Sequence, residues 1–434
     1  MGAQIGFTKS RAAALSTIPA IVTLLTLWWL ISSGNWNLFG IWTLDSTIGW
    51  NTGFGDLAFI TATADCFRLG EVNLDACDPY GRPYTPYGLI PGTFLSWFGL
   101  GLQHTGVLGS LLAVIWVLLV FWLTYRVLKN WKSSKIELVA ALITITLFSV
   151  SPTVMLAVER GSLDILVATF AAIGLIGFTT SNALKQAGSA VLLFISVILK
   201  YFAIGVFVPF FAPRKWSIIA TLCAAATTVF MLLNLENLRT ASEIAKTDAL
   251  STSRIMFSNT TGLVTLLVED PLAFNPPESQ LLNTTLISLI SIALFGVIAV
   301  ALTILLRSLT HSADRNFIPQ ESWLLIVGGT FSLTLPYFLG ASNDYRLLIL
   351  LLPLSGLLIW IKHIPKRNLR ITLWTMVAAT TITALTGAAM IPNENGFILP
   401  KFFLILGDAA LATILAFGIA LFVHAWLPSK KVSA

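Results

Sequence analysis

Charge is what this 434-residue chain has least of. Asp, Glu, Lys and Arg together supply 11% of it, against about 25% in an ordinary soluble domain. With 56% hydrophobic residues and a mean hydropathy of +0.84, that deficit excludes a soluble globular fold and points to a polytopic membrane protein. Cysteine is limited to three residues and histidine to four, so a thiol-rich metal module is excluded and no metal site is expected; a divalent cation on a donor phosphate is left open. There is no Gly-rich phosphate loop and no dinucleotide fingerprint, which removes the usual signs of a nucleotide-sugar site or a nucleotide cofactor. No internal repeat, low-complexity tail or appended soluble domain stands out, so residues 1–434 read as one integral-membrane domain. The net charge of +6 does not suggest a nucleic-acid partner, because Lys and Arg fall in short clusters between apolar runs and form no continuous basic face.

What is present is a series of apolar runs near 12–33, 105–126, 136–157, 162–181, 216–233, 281–306, 320–339, 346–361, 370–391 and 398–426. Crossing a hydrocarbon core takes about 20 residues, so the expectation is an all-α transmembrane bundle of about ten spans. The clusters Lys9/Arg11, Arg126/Lys129/Lys132/Lys135, Lys185, Arg214/Lys215, Arg307/Arg315, Lys362/Lys366/Arg367/Arg370 and Lys430/Lys431 then share one side with only Glu137, Asp314 and Glu321 among the acids. The positive-inside rule makes that side, and both termini, cytoplasmic in a plasma (inner) membrane. The alternation requires 186–213 to enter and leave on the cytoplasmic side, as a re-entrant hairpin of half-helices turning near Lys200-Tyr201. The first run reads as an uncleaved signal anchor, since no small-x-small cleavage site follows it cleanly.

Two outer segments are long enough to fold over a site, 34–104 and 234–280. The first is the richest stretch of the chain, with Asp45, Asp56, Asp65, Glu71, Asp75 and Asp78 against Arg68 and Arg82. An extracytoplasmic compartment permits a disulfide between its Cys66 and Cys77, whereas Cys223 sits alone in a span. Residues 87–103 are apolar but short and broken by Pro and Gly, and are expected to lie in the interface.

Several residues in this setting are equipped for chemistry. Asp56 opens a helical stretch and suits a general base taking a proton from an incoming hydroxyl; the plainer alternative is a capping aspartate. Arg82 lies on a Pro-rich turn beside Tyr84 and Tyr87, aromatics suited to stacking on a sugar ring or to an interfacial belt. Glu159-Arg160-Gly161-Ser162-Leu163-Asp164 places charged groups at the junction of two spans, where ionisable side chains are costly and mark function unless they merely pair. Lys200, at the turn of the hairpin, would reach the same depth with no acid nearby in sequence. Arg346, in Ser342-Asn343-Asp344-Tyr345-Arg346, has the fork that binds a phosphate, or else a surface pairing with Asp344. A carboxylate, several cations and aromatics on one side of a membrane suit a lipid-phosphate sugar donor.

These pieces, in order, resemble the GT-C superfamily of polyprenyl-phosphate-sugar glycosyltransferases, and within it the glycosyltransferase family 87 membrane proteins. The resemblance rests on Gly55-Asp56-Leu57 with Gly70, Cys77-Asp78-Pro79-Tyr80-Gly81-Arg82-Pro83-Tyr84 with Pro86, Glu159 to Asp164, Lys200-Tyr201, Asn259-Thr260-Thr261-Gly262-Leu263, and Asp344-Tyr345-Arg346-Leu347. It implies an inverting transfer with Asp56 as catalytic base and the Glu159–Asp164 cluster and Lys200 lining the donor site. It further implies that a sugar, mannose as first choice, passes from a polyprenyl-phosphate carrier to a cell-envelope glycolipid or glycan at the outer face. Such sequences often carry Pro-Pro or Tyr-Pro-Pro after the first loop, where this chain has Thr85-Pro86-Tyr87. The rival expectation is a multi-pass transporter or flippase for lipid-linked saccharides, which would show paired halves where this chain has one asymmetric outer loop.

Overall fold

The computed structural model describes residues 8–33, 54–69, 89–212, 217–235, 256–257, 279–310, 318–339, 342–386 and 401–427. They form α1 (Lys9–Ser33), α2 (Gly55–Leu69), α3 (Leu89–Trp97), α4 (Thr105–Leu128), α5 (Lys135–Ser149), α6 (Pro152–Glu159), α7 (Asp164–Gly177), α8 (Ala183–Leu199) and α9 (Ile218–Leu233). The series continues with α10 (Ser279–Leu309), α11 (Gln320–Leu339), α12 (Leu351–Ile361), α13 (Arg367–Thr386) and α14 (Lys401–Trp426). Two longer 3-10 helices, Tyr201–Phe211 and Asp344–Leu350, lead out of α8 and into α12. A two-residue antiparallel pairing joins β1 (Met256–Phe257) to β2 (Ser342–Asn343), with Met256 opposite Asn343.

Six helical stretches among the described residues are long and apolar enough to cross a membrane, and the chain is a helical membrane protein. Five further apolar helices run 10–17 residues. The expected run 162–181 condenses to the 14 residues of α7, about 21 Å of helix, well short of a hydrocarbon core. The expected run 136–157 is one crossing made of two helices. Pro152, which has no N–H to continue α5, starts α6 at its first position after the break at Val150-Ser151. The nine-residue α3 is too short to cross, and it leaves Phe94, Trp97 and Phe98 exposed beside α2.

The outer surface is apolar where lipid would meet it: Leu111, Leu118, Ile143, Val229, Leu232, Leu289, Val297 and Val300 are all exposed. Inside, small polar groups tie helices together. Thr23 Oγ1 of α1 lies 2.7 Å from Ser149 Oγ of α5, and Trp116 Nε1 of α4 donates to the Ser149 carbonyl at 3.3 Å. The segment Tyr201–Phe211 packs on α11, where a Cβ at Gly205 would come within 2.3 Å of the Phe331 and Ser332 backbone, so only glycine permits that approach.

The end of the bundle bearing Arg126 is a network of charges. Arg126 pairs through two nitrogens with Glu321, each at 2.8 Å, joining α4 to α11. Glu137, in the capping box that Ser134 builds at the start of α5, accepts from Trp374 Nε1 at 3.4 Å and lies 3.5 Å from Arg370, both of α13. Lys362 Nζ donates to the carbonyls of Arg126, Val127 and Lys129 at 3.0–3.2 Å, closing the C-terminus of α4 from α12. Lys362→Met leaves those acceptors without a donor in a site 9% exposed. It is expected to cost about 2–4 kcal/mol, seen as a lower thermal midpoint of the purified protein; an unchanged midpoint would show the ammonium to be dispensable.

Candidate functional site

The opposite end of the bundle brings together residues far apart in sequence. The free N–H groups that begin α2 are met by the carbonyls that end α6. Phe54 N donates to Glu159 O at 2.6 Å, Asp56 N to Arg160 O at 2.8 Å and Leu57 N to Arg160 O at 3.3 Å. The two helix ends therefore abut, and Asp56 is not needed as a cap for this backbone. Its carboxylate turns to Arg160, with Oδ1 2.9 Å from Nη2; the two side chains are 24% and 14% exposed.

This junction depends on Gly161. Its φ is +62°, and a Cβ there would come 2.8 Å from Leu57 Cβ and 3.0 Å from Phe54 Cβ. Phe54 itself takes a φ of 68°, where an aromatic residue is strained, so the turn into α2 is held by the bonds just described. Gly161→Ala is expected to cost about 1–3 kcal/mol and to shift α2, with loss of whatever chemistry Asp56 performs. Thermal unfolding and activity measured on the same preparation check it, and a variant normal in both would show that the junction tolerates a side chain.

One step further on, Ser162 and Asp164 start α7. The Ser162 hydroxyl donates to Asp164 Oδ2 at 3.0 Å and accepts from Asp164 N at 3.2 Å. Asp164 is fully buried, and its Oδ1 and the Glu159 Oε2 have no hydrogen-bond partner among the described residues. Lys200, extended at the end of α8, lies in the electrostatic neighbourhood of Asp164, Arg346 and Asp56. The Arg346 guanidinium is stacked over the Phe202 ring, 5.2 Å from its centroid. Asp56, Glu159, Arg160, Asp164, Lys200 and Arg346 are thus one cluster drawn from five chain segments. Buried acceptors left unbonded inside such a cluster call for a partner, which a polar ligand or an ordered water would supply.

Other expected residues fall elsewhere. Arg82, Tyr84, Tyr87 and Cys77 lie outside the described residues, as do the side chains of Asp344 and Tyr345 and the segment 258–278. Cys66, near the end of α2, is disulfide-bonded, and Cys223 is free. Among the described residues no three His, Cys, Asp or Glu side chains converge as a metal site would require. Phe202 escaped the sequence reading, although it stands two residues from Lys200; nothing in a local pattern says that an arginine almost 150 residues later will lie over it.

No family model, curated protein or solved structure matches this chain. The candidate site therefore rests on its own geometry.

Proposed function

We propose that the protein is an inverting membrane glycosyltransferase that takes a sugar, mannose first, from a polyprenyl-phosphate carrier and passes it to a cell-envelope glycolipid or glycan. The observation that carries this reading is the joining of a carboxylate (Asp56) and half-buried cations (Lys200, Arg346) in one cluster with unbonded buried acceptor atoms on Glu159 and Asp164. The sequence resemblance to glycosyltransferase family 87, which runs through the same residues, points the same way. In the reaction, the acceptor oxygen bonds to the anomeric carbon as its proton passes to the Asp56 carboxylate. The bond from that carbon to the phosphate oxygen breaks on the opposite face, and the prenyl phosphate leaves with the electron pair. Lys200 and Arg346 receive the charge that grows on the leaving phosphate. Asp164 and Glu159 supply acceptors for the sugar hydroxyls.

In this reading the Arg126–Lys362 end is cytoplasmic, as are both termini, and the cluster opens to the outer face. The bundle makes about ten crossings, some of them by helices shorter than a full span, and 186–213 is the re-entrant hairpin with Lys200 at its tip. The test is transfer by the purified protein of labelled sugar from polyprenyl phosphomannose, then from pentose analogues, to envelope glycolipid extracts. Release of prenyl phosphate that depends on acceptor supports the reading. Movement of the intact lipid-linked sugar across vesicles, with no bond broken, would replace it with a flippase.

A further inference from the structure

Two helices begin side by side at the end of the bundle that carries Arg126. Glu137, in the first turn of α5, lies against Arg370 and Trp374 of α13, so the starts of α5 (Lys135–Ser149) and α13 (Arg367–Thr386) are neighbours. A helix start presents free N–H groups and the positive end of its dipole, and acidic side chains are the ones that favour it. Glu137 meets that preference in α5. In α13 the preference is reversed, because its first turn, Arg367-Asn368-Leu369-Arg370, holds two arginines and no acid.

Glu137 is already engaged, its Oε2 by the Ser134 amide at 3.3 Å and its Oε1 by Trp374 Nε1 at 3.4 Å and Arg370 Nη1 at 3.5 Å. Arg370 Nη2 donates to the Ile364 carbonyl, while its Nε is bonded to no described residue. Lys135 and Arg367, the first residues of the two helices, are both exposed. Cations gathered on helix starts are opposed by one another and by the dipoles, and an anion seated among them relieves both. Apolar surface begins directly beyond these cations: Ile136 is 81% exposed, and Val139 of α5 and Ile371 of α13 are exposed within the next turn. Along both helices a cation is thus followed by apolar side chains within about 5.4 Å, one turn, which is the order in which a phospholipid presents its phosphate and its acyl chains.

We propose that the paired starts of α5 and α13 seat one anionic phospholipid, its phosphate against Lys135 and Arg367 and its acyl chains along Ile136, Val139 and Ile371. A soluble anion would use the cations and leave the apolar turn idle; a zwitterionic lipid would use the apolar turn and gain little from the cations. The site lies at the opposite end of the bundle from the Asp56 cluster and does not depend on the sugar-transfer reading.

The experiment is native mass spectrometry of the full chain in detergent, titrated separately with phosphatidylglycerol, with phosphatidylcholine of the same acyl chains and with glycerol phosphate as the free headgroup. One phosphatidylglycerol should bind ahead of further copies and at least about 10-fold more tightly than phosphatidylcholine. Lys135→Gln and Arg367→Gln should each weaken that first site about 5-fold, and together about 30-fold. Arg367→Lys keeps the charge and should stay within about 2-fold, which separates loss of the cation from loss of the fold. Lys9→Gln with Lys185→Gln removes the same charge from other exposed positions and should leave the first site within about 2-fold. Equal affinity for the two lipids, or an unchanged affinity in the Lys135/Arg367 double variant, overturns the proposal. A loss as large in the Lys9/Lys185 variant replaces the site with a diffuse basic surface, and displacement by glycerol phosphate at the concentration of the lipid replaces it with a soluble-anion site.

Discussion

Asp56→Asn is expected to lower turnover by about 10²–10⁴-fold while leaving the fold and donor binding intact. The substitution keeps size and an acceptor oxygen for Arg160 but removes the affinity for a proton. The fold should survive because α2 is held by backbone: Phe54, Asp56 and Leu57 all donate to carbonyls at the end of α6, and none of those bonds involves the Asp56 side chain. A pair that is partly exposed contributes little to stability in any case. The check is turnover and donor affinity on one preparation. Near-normal turnover in a folded Asp56→Asn would remove the proposed base and with it the centre of the mechanism.

The second large effect is expected at the cations. Arg346→Met keeps an apolar contact with Phe202 but loses the charge that the proposed mechanism aims at the donor phosphate, and Lys200→Met loses its charge at the end of α8. Each loss of a charge-assisted hydrogen bond, about 1.5–3 kcal/mol, should weaken donor affinity by about 10–100-fold. Turnover should fall further than affinity, because the phosphate gains charge as the glycosidic bond breaks and the cations bind it best then. The two cations are electrostatic neighbours and, in the proposed mechanism, share one phosphate, so the double variant should cost less than the product of the single effects. Equal affinities in native and variant proteins would place the donor phosphate elsewhere.

The membrane class was open to reading from composition alone, because about 20 apolar residues in a row have few uses other than crossing a bilayer. Some helix starts follow from local chemistry that the run 136–157 did not register: Ser134 with Glu137 starts α5, and Pro152 starts α6, through contacts within a few residues. Crossing lengths were less legible. The run 162–181 is continuous in hydropathy, yet the helix is Asp164–Gly177, since hydropathy does not register where a chain turns inside a protein that shields its backbone.

The residue types of the site were also visible, since charges in an apolar chain stand out and are costly to keep there. Their partnerships were not. Asp56 next to a glycine-rich turn read as a general base or, more plainly, as a cap, and only the abutting of α2 on α6 turned its carboxylate to Arg160. Lys200 and Arg346 are far apart in sequence, and no periodicity relates them; packing brings them into one electrostatic neighbourhood with Asp164. Lys362 illustrates the same division at the other end, where a residue that reads as one more positive-inside lysine proves to close the last turn of α4. By itself the sequence determined the solvent this protein lives in, the identity of its charged groups and the starts of several helices, because those follow from composition and short-range contacts. The tertiary structure alone decided which charges meet, which helix ends satisfy one another and which buried acceptors are left unbonded, because those depend on distances between segments that the chain order does not encode.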